Sequence, residues 1–420
     1  MRGEHVIDEE VLEAGRPPVP RRFWVGGLVL LAVAVGGFAA GRAWPHPSHE
    51  TAPPPSSGSV YQPPPPIPLG TFAATAPWPT APSACGGSTD LPIVSSVPVR
   101  ERTGITALLG GRDLRIVDFD TGRSVAVRGG QLLPNEFVTG FTGTPPYITT
   151  VRCTDSGLPA RVMRVSVTRA AAVVAQLHGT GLLADGTRAW QARWPSGGPN
   201  SRGSLVPLEG GIPVRLPPGF DPEAITGGVV VGESRSARTA TSVRLVDAAT
   251  GQVRANFGPG VTLAAGHGQV LWSNCDVSAA STPCTLHLRA IDAGQPRDYP
   301  LPRPPAPMSA VLSPDGRQLA FTLERANRDT RYDAAHPFPP TNIAVLNLDD
   351  ATVAIVPGIE LPAKYAPGLS FSADGRWLVI ALDAGTKTRL LAWRPGLEQP
   401  YETAPILGSL WTGPSVAVLG

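Results

Sequence analysis

The sequence is poor in charge, in lysine and in helical periodicity, and each shortage excludes a class of protein. Only 16% of the 420 residues are charged, against about 25% in an average soluble domain. Lysine occurs only at Lys364 and Lys387, and the formal net charge of +2 is too small to indicate nucleic-acid binding. No sustained helical period follows residue 85, so a helical bundle is excluded.

Motifs for catalysis and for metal binding are also missing. The chain has no Gly-x-Ser-x-Gly elbow, no His-Glu-x-x-His pair and no phosphate-binding loop. Its four cysteines show no Cys-x-x-Cys spacing, and the histidines offer no matching pattern of metal ligands. We therefore expect no cofactor and no metal, and a non-catalytic role is favoured over an enzymatic one.

Glycine and proline are abundant instead, with 47 and 48 residues. This composition favours many short strands joined by turns, together with a proline-rich segment. The preference for arginine, with the excess of alanine, glycine and proline, is typical of a GC-rich genome such as an actinobacterium's.

An uncharged apolar run, Phe23–Gly41, is long enough to cross a bilayer as one helix. Two arginines precede it directly, whereas Arg42 is followed by no lysine or arginine until Arg100. The positive-inside rule then places residues 1–22 in the cytoplasm and the bulk of the chain outside the cell membrane. A cleaved signal peptide is the alternative, although no convincing Ala-x-Ala site follows the run.

The segments on either side of this run have different compositions. Residues 1–22 contain the acids Asp8, Glu9, Glu10 and Glu13 beside scattered apolar residues, which fits a disordered tail or a short motif for a cytoplasmic partner. Residues 42–84 are rich in proline, serine and threonine, and include Pro63–Pro66. Such a chain buries too little apolar area to fold, so we expect an extended, disordered spacer before the domain at 85–420.

Two units recur through that domain. In the first, an alternating strand ends in an Asp-x-x-Thr-Gly turn, at Leu114–Val125 and Val243–Val253, with looser copies at 286–294, 343–350 and 390–396. In the second, an Asp-Gly turn separates two strands. The copies of this second unit are Leu312–Phe321, Phe371–Ile380 and, in part, Leu183–Ala189. Asp-Gly favours tight hairpin turns, and the apolar run after it predicts a buried strand.

The spacing of these turns predicts the fold. Gly251 and Gly294 lie 43 residues apart, and Gly122 precedes Gly251 by three times that distance. Turns near 157, 210, 350 and 396 complete seven units of four strands, the size of propeller blades. We predict an all-β, seven-bladed propeller whose first blade is completed by Ser409–Val418. Six or eight blades, and a large β-sandwich with accidental repeats, are the alternatives.

The signatures Ser-Pro-Asp-Gly-Arg and Asp-x-x-Thr-Gly resemble those of the WD-repeat-like periplasmic propellers of the TolB type. The resemblance covers most of residues 100–400 and implies the fold. The domain that precedes the propeller in that family is missing here, so the resemblance implies no role in the TolB system.

The four cysteines all follow the predicted membrane segment, where disulfides persist. Cys275 and Cys284 bracket a loop between two strands of one blade, at a distance that a disulfide across a hairpin accepts. Cys85 and Cys153 would then tether the start of the domain to the second blade.

Arginines gather in the predicted connections between the second and third strands of several blades, which open onto one face of a propeller. Grouped arginines suit contact with carboxylates or phosphates, so these residues form the candidate binding site. The candidate residues are Arg202, Arg235, Arg238, Arg325, Arg328, Arg331, Tyr332 and His336. The alternative is a set of solvated loops whose charge is balanced by nearby acids such as Glu233 and Glu324.

The sequence thus predicts a single-pass membrane protein whose extracytoplasmic propeller is a binding or scaffold module, and a sensor if the inner tail relays a signal. An envelope protein or an anionic polymer is the expected partner. The alternative is a cell-envelope enzyme that acts on sugars or lactones from a site in the propeller channel.

Overall fold

The computed structural model is all-β throughout the residues that it describes. These are 91–111, 114–132, 136–143, 146–152, 160–165, 171–177, 180–193, 201–236, 239–275, 284–292, 294–301, 303, 305–324, 340–362, 365–383, 387–404, 406–407 and 415–419. The predicted tail (1–22), membrane segment (23–41) and linker (42–84) lie outside them. Within the described ranges, no helix has the length and apolar character that crossing a bilayer requires.

The strands follow one another in chain order. The first nine are β1 (Ile93–Val94), β2 (Val97–Pro98), β3 (Thr106–Gly110), β4 (Leu114–Asp118), β5 (Ser124–Ala126), β6 (Glu136–Thr142), β7 (Tyr147–Arg152), β8 (Ala160–Arg164) and β9 (Ala172–Leu177). The next twelve are β10 (Thr180–Asp185), β11 (Arg188–Arg193), β12 (Arg202–Pro207), β13 (Val214–Pro218), β14 (Phe220–Thr226), β15 (Val229–Ser236), β16 (Thr239–Asp247), β17 (Val253–Pro259), β18 (Val261–Gly266), β19 (Gln269–Ser273), β20 (Cys284–Ala290) and β21 (Arg297–Leu301). The last are β22 (Pro305–Leu312), β23 (Gln318–Glu324), β24 (Thr341–Asn347), β25 (Val353–Ile355), β26 (Ile359–Glu360), β27 (Gly368–Phe371), β28 (Leu378–Asp383), β29 (Lys387–Trp393), β30 (Tyr401–Glu402), β31 (Ile406–Leu407) and β32 (Ser415–Leu419).

These strands form seven blades. From the inner strand outward, the strand orders are β32-β3-β4-β5 in blade 1, β6 to β9 in blade 2, β10 to β13 in blade 3, β14 to β17 in blade 4, β18 to β21 in blade 5, β22 to β25 in blade 6, and β27-β28-β29-β30-β2 in blade 7. Each inner strand contacts the inner strands of both neighbouring blades, so the seven close a ring. The prediction of a seven-bladed propeller is confirmed, and six or eight blades are excluded.

Two sets of strand pairings join the ends of the domain, and the sequence predicted one of them. β32, at the end of the chain, pairs antiparallel with β3 from Thr106↔Leu419 to Gly110↔Ser415, which confirms that the C-terminal residues complete blade 1. The second set is made by the strap, which we define as residues 91–99. Within it, β2 pairs in parallel with β30 as the outermost strand of blade 7, and β1 pairs with β26. The strap therefore ties the start of the domain to its last blade.

The core lies between blades, because each strand sends successive side chains to opposite faces of its sheet. In β3, Leu108 packs in a cluster with Val138 of blade 2, whereas Leu109 packs in a cluster with Val379 of blade 7. All five residues of β3 are buried. Since both faces are covered, such strands appear in the sequence as continuous apolar runs rather than as a strict alternation.

The Asp-x-x-Thr-Gly motif builds the turn between the third and fourth strands. In blade 1, Asp118 Oδ1 accepts hydrogen bonds from the backbone N–H groups of Asp120 and Thr121, at 3.0 and 3.2 Å. In blade 4, Asp247 Oδ1 accepts from those of Ala249 and Thr250, at 2.9 and 2.8 Å. The glycine that ends each motif, Gly122 or Gly251, has a φ near +70°, which only glycine adopts at little cost.

The second motif builds the turn between the first and second strands, with the same network in two blades. In blade 6, Ser313 Oγ donates to Asp315 Oδ1 at 2.5 Å and accepts from the Gln318 N–H at 2.9 Å. In blade 7, Ser372 Oγ donates to Asp374 Oδ1 at 2.6 Å, and the Trp377 N–H donates to it at 2.9 Å. The polar side chains of both motifs thus satisfy their own turns.

One predicted turn, near residue 157, lies at a different position in its blade from the other predicted turns. Residue 157 falls between β7 and β8, the second and third strands of blade 2, whereas Gly122, Gly251 and Gly294 follow third strands. The equivalent connection of blade 2 comes after Arg164. The connection between the second and third strands of that blade spans residues 153–159, and this length shifts the spacing.

Candidate functional site

The candidate site lies on the upper face, which we define as the side onto which the connections between second and third strands open. Three of these connections, 194–201, 237–238 and 325–340, carry or flank all eight predicted binding residues. The strand bounds place Arg202 at the first position of β12 and Arg235 in β15, next to the end of that strand. Binding by these residues stays a prediction.

Only Arg202 among the eight has a described side chain. It is exposed, and no hydrogen bond or ion pair joins it to another residue in the described part of the chain. Arg238, Arg325, Arg328, Arg331, Tyr332 and His336 lie outside the described residues, as does the side chain of Arg235.

The upper end of blade 5 is closed by a disulfide. Cys275 follows β19 and Cys284 begins β20, and the two are bonded with their Cα atoms 4.9 Å apart. This pairing confirms the prediction made from the hairpin spacing. Cys85 and Cys153 lie outside the described residues, so the second predicted pair stays a prediction.

The residue that precedes the 325–340 connection is Glu324, the last residue of β23. Its side chain is half-buried, and burial raises the pKa of its carboxyl above the ordinary value. Arg303 approaches it, but donates from Nη1 to the Glu324 backbone carbonyl at 3.2 Å. Among the described residues, none donates a hydrogen bond to the carboxylate or forms an ion pair with it.

The residue that follows the same connection closely is Thr341, the first residue of β24. It lies directly opposite Glu324 in the antiparallel register, so both side chains belong to the same face of blade 6. Thr341 is 3% exposed, and its Oγ1 has no hydrogen-bond partner. Its backbone is satisfied, because the Thr341 and Leu361 N–H groups each donate to the other's carbonyl, at 3.0 and 2.9 Å.

Below these two polar groups the space between blades 6 and 7 is apolar. Ile343, Leu361 and Tyr365 belong to one buried cluster. Tyr365 Oη accepts a hydrogen bond from the Asp383 backbone N–H at 2.5 Å, and burial raises the pKa of the Tyr365 hydroxyl. We call the region formed by Glu324, Thr341 and this cluster the blade 6–7 interface.

The outer part of the space between the same two blades holds the strap. Arg389 donates from Nε to Glu402 Oε1 at 2.7 Å, from Nη2 to Ser96 Oγ at 2.9 Å and from Nη1 to the Val94 carbonyl at 3.2 Å. Burial raises the pKa of Glu402, but the hydrogen bonds from Arg389 and Ser96 outweigh it, and the net pKa is lowered. The strap is therefore held by a charged network as well as by strand pairing.

The lower face carries the turns between first and second strands and between third and fourth strands. Its carboxylates, unlike that of Glu324, have hydrogen-bond partners within the protein. Asp247 bonds to Arg254 besides its own turn, and the hydrogen bond from Arg254 is the main reason why its pKa is lowered to about 2. The Asp315 side chain caps the turn that follows Ser313, and its pKa lies below the ordinary value because these hydrogen bonds outweigh burial. In the residues that the structure describes, no group of three or more His, Cys, Asp and Glu could hold a metal ion.

Sequence reasoning found the connections of the upper face but missed the polar pair at the blade 6–7 interface. In the alternative interpretation of the sequence, Glu324 balances the charge of loop arginines; those arginines lie outside the described residues, and within the described ranges its carboxylate has no ion pair. The sequence carries a weak signal for this pair, since a glutamate ends an apolar run immediately before a long connection. The pairing of Glu324 with Thr341 follows from strand register, which no local motif reveals.

Solved structures similar to this chain share its fold at low sequence identity. They include TolB from Acinetobacter baumannii (14% identity over 76% of this chain and 68% of that chain, TM-score 0.41) and a putative TolB from Agrobacterium tumefaciens (13%, 60% and 95%, TM-score 0.38). A putative 6-phosphogluconolactonase from Bacteroides uniformis is similar as well (12%, 74% and 99%, TM-score 0.46). No family model and no curated protein sequence matches the chain. TolB proteins are thus among its structural neighbours, as the repeat signatures predict.

Proposed function

We propose that the protein is a membrane-anchored binding module that presents the upper face of its propeller, outside the cell membrane, to a partner bearing acidic groups. The observation that carries this proposal is the exposed Arg202 at a long connection of the upper face. On the lower face the aspartates of the repeat motifs cap their own turns. On the upper face Arg202 is exposed without an ion pair to any described residue.

The long connections add to this contrast. Residues 194–201, 274–283 and 325–340 separate second from third strands, whereas first and second strands in blades 3, 4 and 5 are separated by two residues each. Long connections on a rigid scaffold commonly carry binding residues, because they vary without disturbing the core. The arginines of 325–340 give this face the charge that suits carboxylates or phosphates.

The anchor is proposed from the sequence, and the strap is the first described part of the chain that follows it. The apolar run Phe23–Gly41 and the proline-rich spacer precede the strap. The strap pairs with β26 through Ile93↔Glu360, and the neighbouring residue Leu361 bridges to Thr341, where the 325–340 connection ends.

The test is in-cell photocrosslinking of the full-length protein, with the photoreactive residue replacing Arg328 or Tyr332. The matched control carries it at Arg188 or Arg317, which are exposed on the lower face. We expect a recurrent adduct with an acidic protein from the upper-face positions only. The adduct should fall at least tenfold when Arg325 and Arg331 are changed to Glu, because charge reversal repels an acidic partner.

A reporter that is active only outside the cytoplasm, fused after Gly420, tests the topology separately. Activity of the fusion, lost when Phe23–Gly41 is deleted, supports the anchor. Equal adducts from both faces, or adducts that survive the charge reversal, would contradict the binding proposal even where the topology holds. An adduct with a glycan or other envelope polymer would identify the partner as an acidic polymer instead of a protein.

A further inference from the structure

The outermost strands of the blades differ in how their edges are protected against pairing with a strand of another chain. An edge strand presents unpaired N–H and C=O groups, which another extended segment can bind. Proteins commonly prevent this pairing with proline, with charged residues or with very short edge strands. The edge of blade 7 belongs to the strap, whose strand β2 has two residues and ends in proline.

Among the other outermost strands, one has none of these protective features. β5 and β25 have three residues each, and β13, β17 and β21 contain both proline and arginine. The exception is β9 of blade 2, Ala172–Leu177, whose six residues include neither proline nor a charged side chain. No described residue pairs with its outer edge, since β8 is its one partner in the described sheets.

Apolar side chains of β9 are accessible on both faces of the blade. Val173 is 49% exposed and Val174 is 41% exposed, and successive side chains of a strand point to opposite faces. In β17 and β25, by contrast, Val253 and Ile355 are each the one exposed large apolar residue of the strand. A strand added to β9 would therefore cover apolar surface on both faces and satisfy the backbone of the edge.

Two arginines lie at the end where β9 begins. Arg164 ends β8 directly opposite Ala172, and the Ala171 N–H donates to the Arg128 carbonyl at 2.7 Å. Both arginines are exposed, and neither forms an ion pair with a described residue. The Arg164 guanidinium lies over the Tyr147 ring, 5.6 Å from its centroid, a cation–π contact that holds it beside β9. This end of the edge therefore favours acidic groups.

Blade 7 shows that this propeller accepts an added strand at the edge of a blade. The strap covers β30 there, and Arg389 of the third strand bonds to it through the Ser96 hydroxyl and the Val94 carbonyl. Arg164 likewise belongs to the third strand of its blade. Blade 2 thus has an edge strand and an arginine beside it, and no described segment covers them.

We propose that β9 binds an extended segment of a partner protein by strand addition, with β-branched apolar residues beside Val173 and Val174 and acidic residues beside Arg164. Antiparallel addition continues the pattern of blade 2, whose neighbouring strands are all antiparallel. The acidic residues then follow the apolar ones in the partner's sequence. Backbone hydrogen bonds supply affinity in this mode, and side chains supply selectivity. The edge lies on the side of the propeller, so the site goes beyond the upper-face proposal and does not depend on it.

The test is fluorescence anisotropy with labelled peptides and the full-length protein in detergent micelles. The probe is Thr-Val-Thr-Val-Thr-Glu-Glu with blocked ends. One control places both glutamates first, and a second carries N-methyl groups on its valine and threonine amides, which removes the backbone donors of a strand. We expect submillimolar binding of the probe, at least fivefold weaker binding of the first control and at least tenfold weaker binding of the second.

Variants of the protein locate the binding on β9. Val174→Lys should weaken the probe at least fivefold, and because lysine attracts glutamates this loss reports the apolar edge rather than charge repulsion. Val253→Lys is the matched change on the outermost strand of blade 4 and should have no effect. Both valines are exposed, so melting temperatures should stay close to that of the parent.

A charge exchange tests the acidic end. Arg164→Glu should weaken the probe at least fivefold and should strengthen Thr-Val-Thr-Val-Thr-Lys-Lys by a similar factor, because the charges at this end are reversed. A gain for the lysine peptide also shows that the variant is folded.

Equal binding of the N-methylated peptide, unchanged binding by Val174→Lys, or no binding of the probe to the folded protein would each overturn the proposal. A dimer of the full-length protein that Val174→Lys dissociates, without binding of the probe, would overturn it too and assign the edge to a second copy. Failure of the crosslinking from Arg328 and Tyr332 leaves this site standing, because those residues belong to the connection after β23.

Discussion

Ser96 and Glu402 are 306 residues apart in the sequence, and the hydroxyl of the first donates a hydrogen bond to the carboxylate of the second. Arg389 bonds to both of them, so three side chains fasten the strap to blade 7. The strap and β32 together join the two ends of the domain to the blades at the opposite end of the chain.

Replacing Glu402 by Gln should destabilise the propeller by about 1–3 kcal/mol, since it leaves the half-buried Arg389 without its counter-ion. The measurement is the free energy of unfolding in urea. Glu398→Gln, close by in the same blade but exposed, should change it by less than about 0.5 kcal/mol. Equal effects of the two variants would mean that the strap contributes nothing through this network.

The same network makes stability depend on pH. The pKa of Glu402 is lower in the folded protein than its ordinary value of 4.5, so its contribution is complete above 4.5 and is lost as the pH falls through the folded pKa. We expect the difference in melting temperature between the parent and Glu402→Gln to shrink as the pH falls below 4.5. A difference that stays constant down to pH 3 would contradict this origin.

The serine-aspartate turn in blade 7 should be sensitive to loss of its carboxylate. Asp374→Ala removes the acceptor for Ser372 Oγ and for the Arg376 N–H, at 2.6 and 3.1 Å, and should cost about 1–2 kcal/mol in the free energy of unfolding. Ala373→Pro is the matched substitution that should raise the stability of the same turn. It copies Pro314 of the equivalent turn and should stabilise by about 0.4–1 kcal/mol through the unfolded state. Destabilisation by Ala373→Pro would show that the two turns differ in backbone conformation.

Replacing either of two strand glycines by alanine should have very different effects on the stability of the propeller. A Cβ on Gly232 would lie 2.1 Å from the Asp221 carbonyl oxygen, whereas one on Gly140 would meet nothing within 4 Å. Gly232→Ala should cost about 3 kcal/mol or more, because backbone must move to admit the methyl group. Gly140→Ala should be neutral or slightly stabilising. Circular dichroism melts of both variants check this, and similar losses in the two would mean that the close approach at Gly232 relaxes freely.

Removing the Cys275–Cys284 disulfide of blade 5 should lower the stability of the propeller. The bond closes a chain separation of nine residues, for which loop-closure entropy predicts about 2–3 kcal/mol. A double alanine variant should melt correspondingly earlier than the parent under non-reducing conditions. No shift in melting temperature would show that the unfolded chain already holds this segment in a hairpin.

The sequence predicted those parts of the fold that depend on near neighbours in the chain. Gly122 and Gly251 could be identified as turn residues because their partners, Asp118 and Asp247, lie four residues earlier. The blade number followed from the spacing of such turns. Apolar runs such as Leu378–Asp383 indicated buried strands, because a run of apolar residues is also a local pattern.

The candidate site and the strap could be predicted only in part. The arginines of the upper face were assigned to connections because strand order fixes where connections lie. Thr341 and Glu324 became neighbours only through the register of β23 and β24. The two-residue strand Val97–Pro98 has no pattern at all, and its place is fixed by pairing with Tyr401–Glu402 far along the chain.

Because β32 belongs to the same blade as β3, the blades cannot all be completed in the order in which they are synthesised. Blade 1 obtains its inner strand from residues 415–419, which are made more than 300 residues after β3. Until then β3 has an open edge, although every other strand of that blade is already present. Blades 2 to 6 can form one after another as they emerge, but the boundary between blades 7 and 1 must wait until residues 415–419 have been made. A chain truncated before Ser415 therefore has nearly every strand of the propeller but lacks the one that closes its ring.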